Sequence, residues 1–192
     1  HSFPTRRSSD LADAAANYGS IGVVIGHEMT HGFDDQGRLY TKEGNLSNWW
    51  TEADADGFKK PCDAMVDYFN SLWVIPGELH ANGEITLGEN LADHGGLNIA
   101  FNAFQMWQEE NGRLGDDHGF TPEQRFFLAY AGVWGQNITE AEIRNRTVRD
   151  PHALGEWRVN GALPHIDAWY EAFDIKPSDK LFVPKEKRVT IW

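Results

Sequence analysis

Residues 23–35 read VVIGHEMTHGFDD, and the five residues His27-Glu28-Met29-Thr30-His31 within them decide how the rest of the chain is read. Apolar residues at Ile21, Val24, Ile25 and Met29 recur at helical spacing, so a helix is predicted from about Ala12 to His31. On a helix, positions i and i+4 share a face. His27 and His31 then point the same way, and imidazoles so spaced chelate a zinc ion through neutral nitrogens at about 2.0–2.1 Å. Glu28, between them in sequence, reaches a water beside the metal without being a ligand. From the chain's own His and Glu frequencies, chance alone yields such a match on the order of 2% of the time. The apolar helical context and the cost of burying two imidazoles and a carboxylate without a partner weigh against chance.

A catalytic zinc usually takes three protein ligands. The pattern that places a glycine three residues and a histidine six residues after the second His fails, because Asp34 and Gly37 stand there. The better source is ENLAD, Glu89 to Asp93, on a long helix predicted from about Thr86 to Trp107 with Gly95-Gly96 inside it. Glu89 and Asp93 share a face, so Glu89 suits the metal and Asp93 suits a hydrogen bond from a ligand imidazole. Thr86-x-x-Glu89 is also a capping box, and the residues taken alone favour the cap or a solvated face over the metal. Leu87, Leu91 and Leu97 mark this helix as packed.

Working outward, the chain reads as mainly helical with few strands. Gly32 and the run Asp34-Asp35-Gln36-Gly37 read as a helix stop and turn. A second helix is expected over Trp49–Leu72, weakened by Gly57 and Pro61, followed by a loop with Pro76-Gly77 and Asn82-Gly83. Thr121-Pro122-Glu123-Gln124 starts a helix to about Gly135, and Thr139 with Glu142 reads as a second capping box. Leu163–Phe173 reads as a short amphipathic helix and Val183–Trp192 as extended. Lys plus Arg number 17 against 29 Asp plus Glu, and an acidic surface argues against nucleic acid and anionic membrane as partners. No apolar run is long enough to span a bilayer. Cys62 stands alone, so intrachain disulfides and CxxC-type metal or redox sites are excluded.

NYGSIGVVIGHEMTHGFDDQGR, GNLSNWW, ITLGENLADHGGLNIAF and HALGEWRVNGALPHIDAWYEAF occur in this order, and together they resemble the neprilysin family of metallopeptidases from about residue 14 to the end. The resemblance implies a gluzincin-type catalytic subdomain with the HExxH helix packed on the ExxxD helix. It implies one zinc ion per chain, held by His27, His31 and Glu89, with Glu28 as general base and Asp93 supporting a ligand. In DPHALGEWRVNG it implies that His152 hydrogen-bonds the developing oxyanion, that Arg158 binds a substrate carbonyl, and that Asp150 orients His152. It further implies a pocket for a large apolar side chain after the scissile bond, formed by Val23, Val24, Val133 and Trp134 with Arg158 at its edge. The residues alone make these four ordinary core positions. Peptide substrates follow, and so does a location outside the cytoplasm (periplasmic, cell-surface or secreted). The competing class is a non-catalytic module in which zinc only staples helices; closed structural sites favour four ligands, often Cys-rich.

The chain also departs from the family. The Asn-Ala segment that pairs with substrate backbone upstream of the zinc helix has no counterpart, nor does the large helical domain that closes the cleft. Cys62 lacks its usual partner, because Val189 stands at that position. An orphan Cys62 points to a bacterial origin, in which the sequons at Asn45, Asn137 and Asn145 carry no meaning. The opening HSFPTRRSSDL matches the translation of a common sequencing adapter. Residues 1–11 are therefore read as a non-native scar and residues 12–192 as the C-terminal part of a longer catalytic domain, whose missing N-terminal portion is its expected partner.

Overall fold

The computed structural model describes residues 13–191, so the reading of residues 1–11 lies outside the described part. The chain is mainly α. Helix α1 (Ala14–Asn17) runs through a π-helical turn (Tyr18–Gly22) into α2 (Val23–Thr30), and a 3₁₀ turn at His31–Phe33 ends this segment. Then come α3 (Glu52–Asn70), the short strands β1 (Trp73–Ile75) and β2 (Leu79–His80), α4 (Leu87–Asn111) and α5 (Pro122–Val133). α6 (Glu140–Thr147), α7 (Gly155–Asn160) and α8 (Asp167–Phe173) complete the order. β1 and β2 form an antiparallel hairpin with Trp73 opposite His80, the one sheet among the described residues.

The helix starts follow from their caps. Thr51 and Thr121 accept from the backbone N–H of Asp54 and Gln124, whose side chains accept from the cap N–H in return. At Thr139 only half of the expected box forms, because the Glu142 carboxylate accepts from Asn145 instead. Thr86 offers no side-chain cap to α4; its hydroxyl donates to the Asn82 carbonyl, and Glu89 is released from the capping role. The expected helix over 163–173 is broken: Leu163–His165 forms a 3₁₀ turn, Ile166 is extended and α8 starts after it. The C-terminal stretch forms no strand; a 3₁₀ turn sits at Lys185–Lys187 and Val189 packs into the core.

α4 is the central pillar. Its Leu97, Ala100 and Phe104 pack with Ala15, Val23, Phe126, Phe127 and Tyr130 in one apolar cluster, to which α8 adds Trp169 and Tyr170. Truncating a fully buried Phe in such a cluster to Ala costs about 3–5 kcal/mol. Gln124 clamps α8 by donating to the Ala172 carbonyl, and Arg125 ties α5 to Asp13 at 2.6 Å.

The face that α2 buries differs from the apolar stripe read in sequence. Val23, Gly26, His27 and Thr30 are buried, while Ile25 and Met29 are 55% and 62% exposed. The reason is the crossing with α4. A Cβ on Gly96 would lie 2.7 Å from both the His27 nitrogen and the Val23 carbonyl oxygen, and one on Gly26 would lie 3.0 Å from Gly96 Cα. A Cβ on Gly95 would meet the Thr30 hydroxyl at 2.5 Å. Backbone meets backbone at this crossing, so the two glycine surfaces, and not the Ile/Met stripe, fix how α2 turns.

Candidate active site

That close crossing brings the four functional positions of the two helices together. His27 Nε2 lies 3.2 Å from Glu89 Oε2, and His31 Nε2 lies 3.6 Å from Glu89 Oε1. The two Nε2 atoms face each other at 3.0 Å. Ligand atoms of His27, His31 and Glu89 all lie within 4.8 Å of one another, the one such His/Cys/Asp/Glu group among the described residues. Glu89 Oε2 is buried and makes no hydrogen bond. Two imidazole nitrogens and a carboxylate oxygen converging on one point, with a buried acceptor left over, fit a tetrahedral zinc with an open fourth position.

The outer contacts fix the ligands. His27 Nδ1 pairs with Asp93 Oδ1 at 2.9 Å, and Asp93 is 2% exposed. Arg158 grips the same carboxylate twice, Nε to Oδ2 at 2.8 Å and Nη2 to Oδ1 at 2.6 Å. Its guanidinium lies 3.8 Å above the Trp134 ring, and its backbone carbonyl accepts from the Tyr130 hydroxyl at 2.7 Å. His31 has a matching partner that the sequence reading missed. Its Nδ1 lies 2.7 Å from Asp34 Oδ2, while Asp34 Oδ1 accepts from the Gln36 and Gly37 N–H groups at 2.9 and 2.6 Å. Each ligand imidazole thus has one nitrogen toward the metal point and the other on a carboxylate, which fixes tautomer and ring plane.

Electrostatics agree. Asp34, Glu89 and Asp93 surround the imidazoles with one guanidinium, Arg158, against them, a formal excess of two negative charges (3 − 1 = 2) that suits a divalent cation. Burial opposes charging His27, yet the Asp93 hydrogen bond and the Glu89 carboxylate 3.2 Å away outweigh it and push the imidazole up to about 9. Burial likewise opposes ionising Glu89, but His27, His152 and Arg158 hold its carboxyl below the usual range. The site is built to hold positive charge, whether as a proton or as a metal.

His152 approaches from the loop before α7. Its Nε2 lies 3.3 Å from Glu89 Oε1 and its Nδ1 lies 2.8 Å from Asp150 Oδ1. Asp150 also accepts from the His152 N–H at 2.9 Å and from Arg146 Nε at 2.6 Å, and these bonds hold its carboxyl below the usual range against a desolvation cost. Glu28 is exposed on the turn between the two ligands. A cavity of about 420 Å³ joins these groups, with Val23, Val24, Val133, Trp134 and Arg158 on its wall beside His27, Glu28 and His152. Val23 is nonetheless 2% exposed and belongs to the apolar cluster, so it serves the core as much as the cavity.

Comparison with known proteins identifies the family. The sequence pattern of peptidase family M13 matches residues 8–189. Endothelin-converting enzyme 1 of Rattus norvegicus is 42% identical over 173 residues, covering 89% of this chain and 22% of the relative. Neprilysin of Homo sapiens is 40% identical over 193 residues, covering 99% of this chain and 25% of its own length. Among solved structures, the Mycobacterium tuberculosis zinc metalloprotease Zmp1 in complex with an inhibitor superposes with a TM-score of 0.90 at 41% identity, covering 94% of this chain and 28% of that one. The chain spans about a quarter of the length of these relatives. With the HExxH and ExxxD helices crossed so that His27, His31 and Glu89 converge, the chain belongs to peptidase family M13.

Proposed function

We propose that this chain carries the reaction centre of a zinc metalloendopeptidase that cuts peptides on the amino side of large hydrophobic residues, outside the cytoplasm. The observation that carries the reading is the convergence of His27, His31 and Glu89 beside a cavity that also presents Glu28 and His152. Zinc, when bound there, supplies a Lewis acid for the scissile carbonyl and lowers the pKa of water to about 7.

The chain's own residues do the rest. Glu28, exposed to the cavity, takes the proton of the attacking water and returns it to the leaving amine. His152 has a carboxylate against each ring nitrogen, Glu89 at Nε2 and Asp150 at Nδ1. Its Nε2–H donates to the oxyanion as charge develops there, and Asp150 holds the ring for that task. Arg158 spends Nε and Nη2 on Asp93; its Nη1 makes no hydrogen bond among the described residues and is the donor for a substrate carbonyl. The cavity wall of Val24, Val133 and Trp134 takes the apolar side chain that follows the scissile bond. A purely structural zinc would need no exposed Glu28 at a cavity, which favours the peptidase over a stapled module.

The test pairs two variants in an enzyme carrying this chain. Glu28→Gln removes the base and no ligand, so it keeps one zinc and loses most hydrolysis of a peptide with Phe or Leu after the scissile bond. Glu89→Ala loses the metal. Equal zinc loss in both, or full activity in Glu28→Gln, would overturn the assignment.

A further inference from the structure

Arg146 is a charged group on the cavity wall to which the reaction outlined above gives no contact with substrate. It sits in the last turn of α6, and its Nε is fixed on Asp150 Oδ2 at 2.6 Å. Its two Nη groups, with four N–H donors, make no hydrogen bond among the described residues, although the side chain is only 23% exposed. Asp150 cannot absorb the whole charge, because its other oxygen is engaged by His152 at 2.8 Å. The guanidinium is therefore oriented by one bond, sheltered by the wall and left with an unused planar edge. That edge matches a carboxylate, which a guanidinium binds through two parallel N–H···O bonds. Val23, Val24, Val133 and Trp134 make part of the same wall apolar, and the second guanidinium there, Arg158, already spends Nε and Nη2 on Asp93.

Resting on the peptidase reading, we infer that Arg146 is a specificity residue that recognises a carboxylate on the leaving-amine side of the substrate. The carboxylate is either an acidic side chain next to the apolar residue or a free C-terminus. A neutral group in the same place leaves the Nη donors to water and gains little. A half-sheltered charge-assisted pair contributes about tenfold in affinity once solvent screening is allowed for.

The experiment titrates the zinc-loaded chain calorimetrically with three hydroxamate-capped dipeptides: Leu-Gln amide, Leu-Glu amide, and Leu-Gln with a free C-terminus. The expected result is that one of the two added carboxylates binds about tenfold tighter than the neutral amide. Which one does so identifies the source. The preference disappears in Arg146→Met and survives in part in Arg146→Lys. Because Arg146 also holds Asp150, its loss disturbs His152, but that disturbance is common to the three ligands and cancels in their ratio. Equal binding of all three by the unsubstituted chain overturns the assignment and leaves the peptidase reading standing. A preference that persists in Arg146→Met also overturns it. Failure of all three to bind a chain that holds zinc overturns both.

Discussion

Gly96→Ala places a methyl group where α2 and α4 touch backbone to backbone. The added Cβ would stand 2.7 Å from the His27 nitrogen and the Val23 carbonyl oxygen, whereas ordinary contact begins at 3.4 Å. The helices must part by about 0.7 Å, the difference between these two distances. Overpacking of this kind costs about 1–3 kcal/mol, of which alanine's better helix propensity returns up to about 1. With the full return, the net loss of up to about 2 kcal/mol lowers Tm by up to about 8 °C for a chain of this length. The metal feels the shift more sharply. His27 and Glu89 come from the two separating helices, and zinc sites tolerate ligand displacements of about 0.2 Å, so zinc affinity should fall at least about tenfold. Gly57→Ala is the control: a Cβ there meets nothing within 4 Å on the exposed face of α3, and propensity alone should stabilise it by about 0.5–1 kcal/mol. Thermal unfolding of the metal-free protein and zinc competition against a chromophoric chelator read both effects. A Gly96→Ala chain that melts at or above the unsubstituted temperature with unchanged zinc affinity would refute the close-crossing argument.

Three further outcomes follow from the geometry. His152→Ala should lower kcat by roughly 10²–10³ while zinc content stays at one, the scale of a single oxyanion donor; an unchanged kcat would make His152 structural. Asp34→Ala should weaken zinc binding about 10–100-fold by freeing the His31 ring, and a chelator titration that finds no change would remove Asp34 from the site. His94 and His165 are buried, and burial pushes them down to about 4 and about 3, the second helped by His94 and Arg188. The unfolded chain takes up these protons from about 6.5 downward while the folded chain refuses them, so the stability they contribute is complete above that pH and drains away as pH falls toward 4. The double variant His94→Asn with His165→Asn should flatten the acid limb of denaturant-melt stability, and an identical slope would refute the burial argument.

The site was legible where chemistry leaves a pattern and hidden where folding alone supplies it. HEMTH offers two candidate ligands because i and i+4 on a helix leave little choice of direction. From its own residues Glu89 read first as a cap, since Thr86-x-x-Glu89 has that form, and the Thr86 hydroxyl's turn toward Asn82 frees the carboxylate. Asp34 was passed over because Asp34-Asp35-Gln36-Gly37 looks like turn chemistry. It is turn chemistry, with one oxygen on the turn's N–H groups and the other on His31. Gly95-Gly96 was expected inside α4, and nothing in the sequence showed that it sets the approach of α2. The orientation of α2 was misjudged for the same reason: periodicity finds apolar stripes, and it cannot see that two bare backbones prefer each other to Ile25 and Met29. The break at Ile166 has no signal in the local sequence, and α8 beyond it is held by Gln124, which donates to Ala172 48 residues away.

Cys62 lies in the middle of α3 against Phe58, Leu91 and Ile191, and burial pushes its thiol up to about 12. At neutral pH the chain is therefore silent to maleimides and methanethiosulfonates although it contains a cysteine. A reporter can be attached without first removing the native thiol. Ala141→Cys, on the exposed surface of α6, would be the reacting position. A spin label there, read against a paramagnetic ion exchanged into the His27–His31–Glu89 point, would give the separation between the metal and the helix that bears Arg146 in the protein's own solution ensemble.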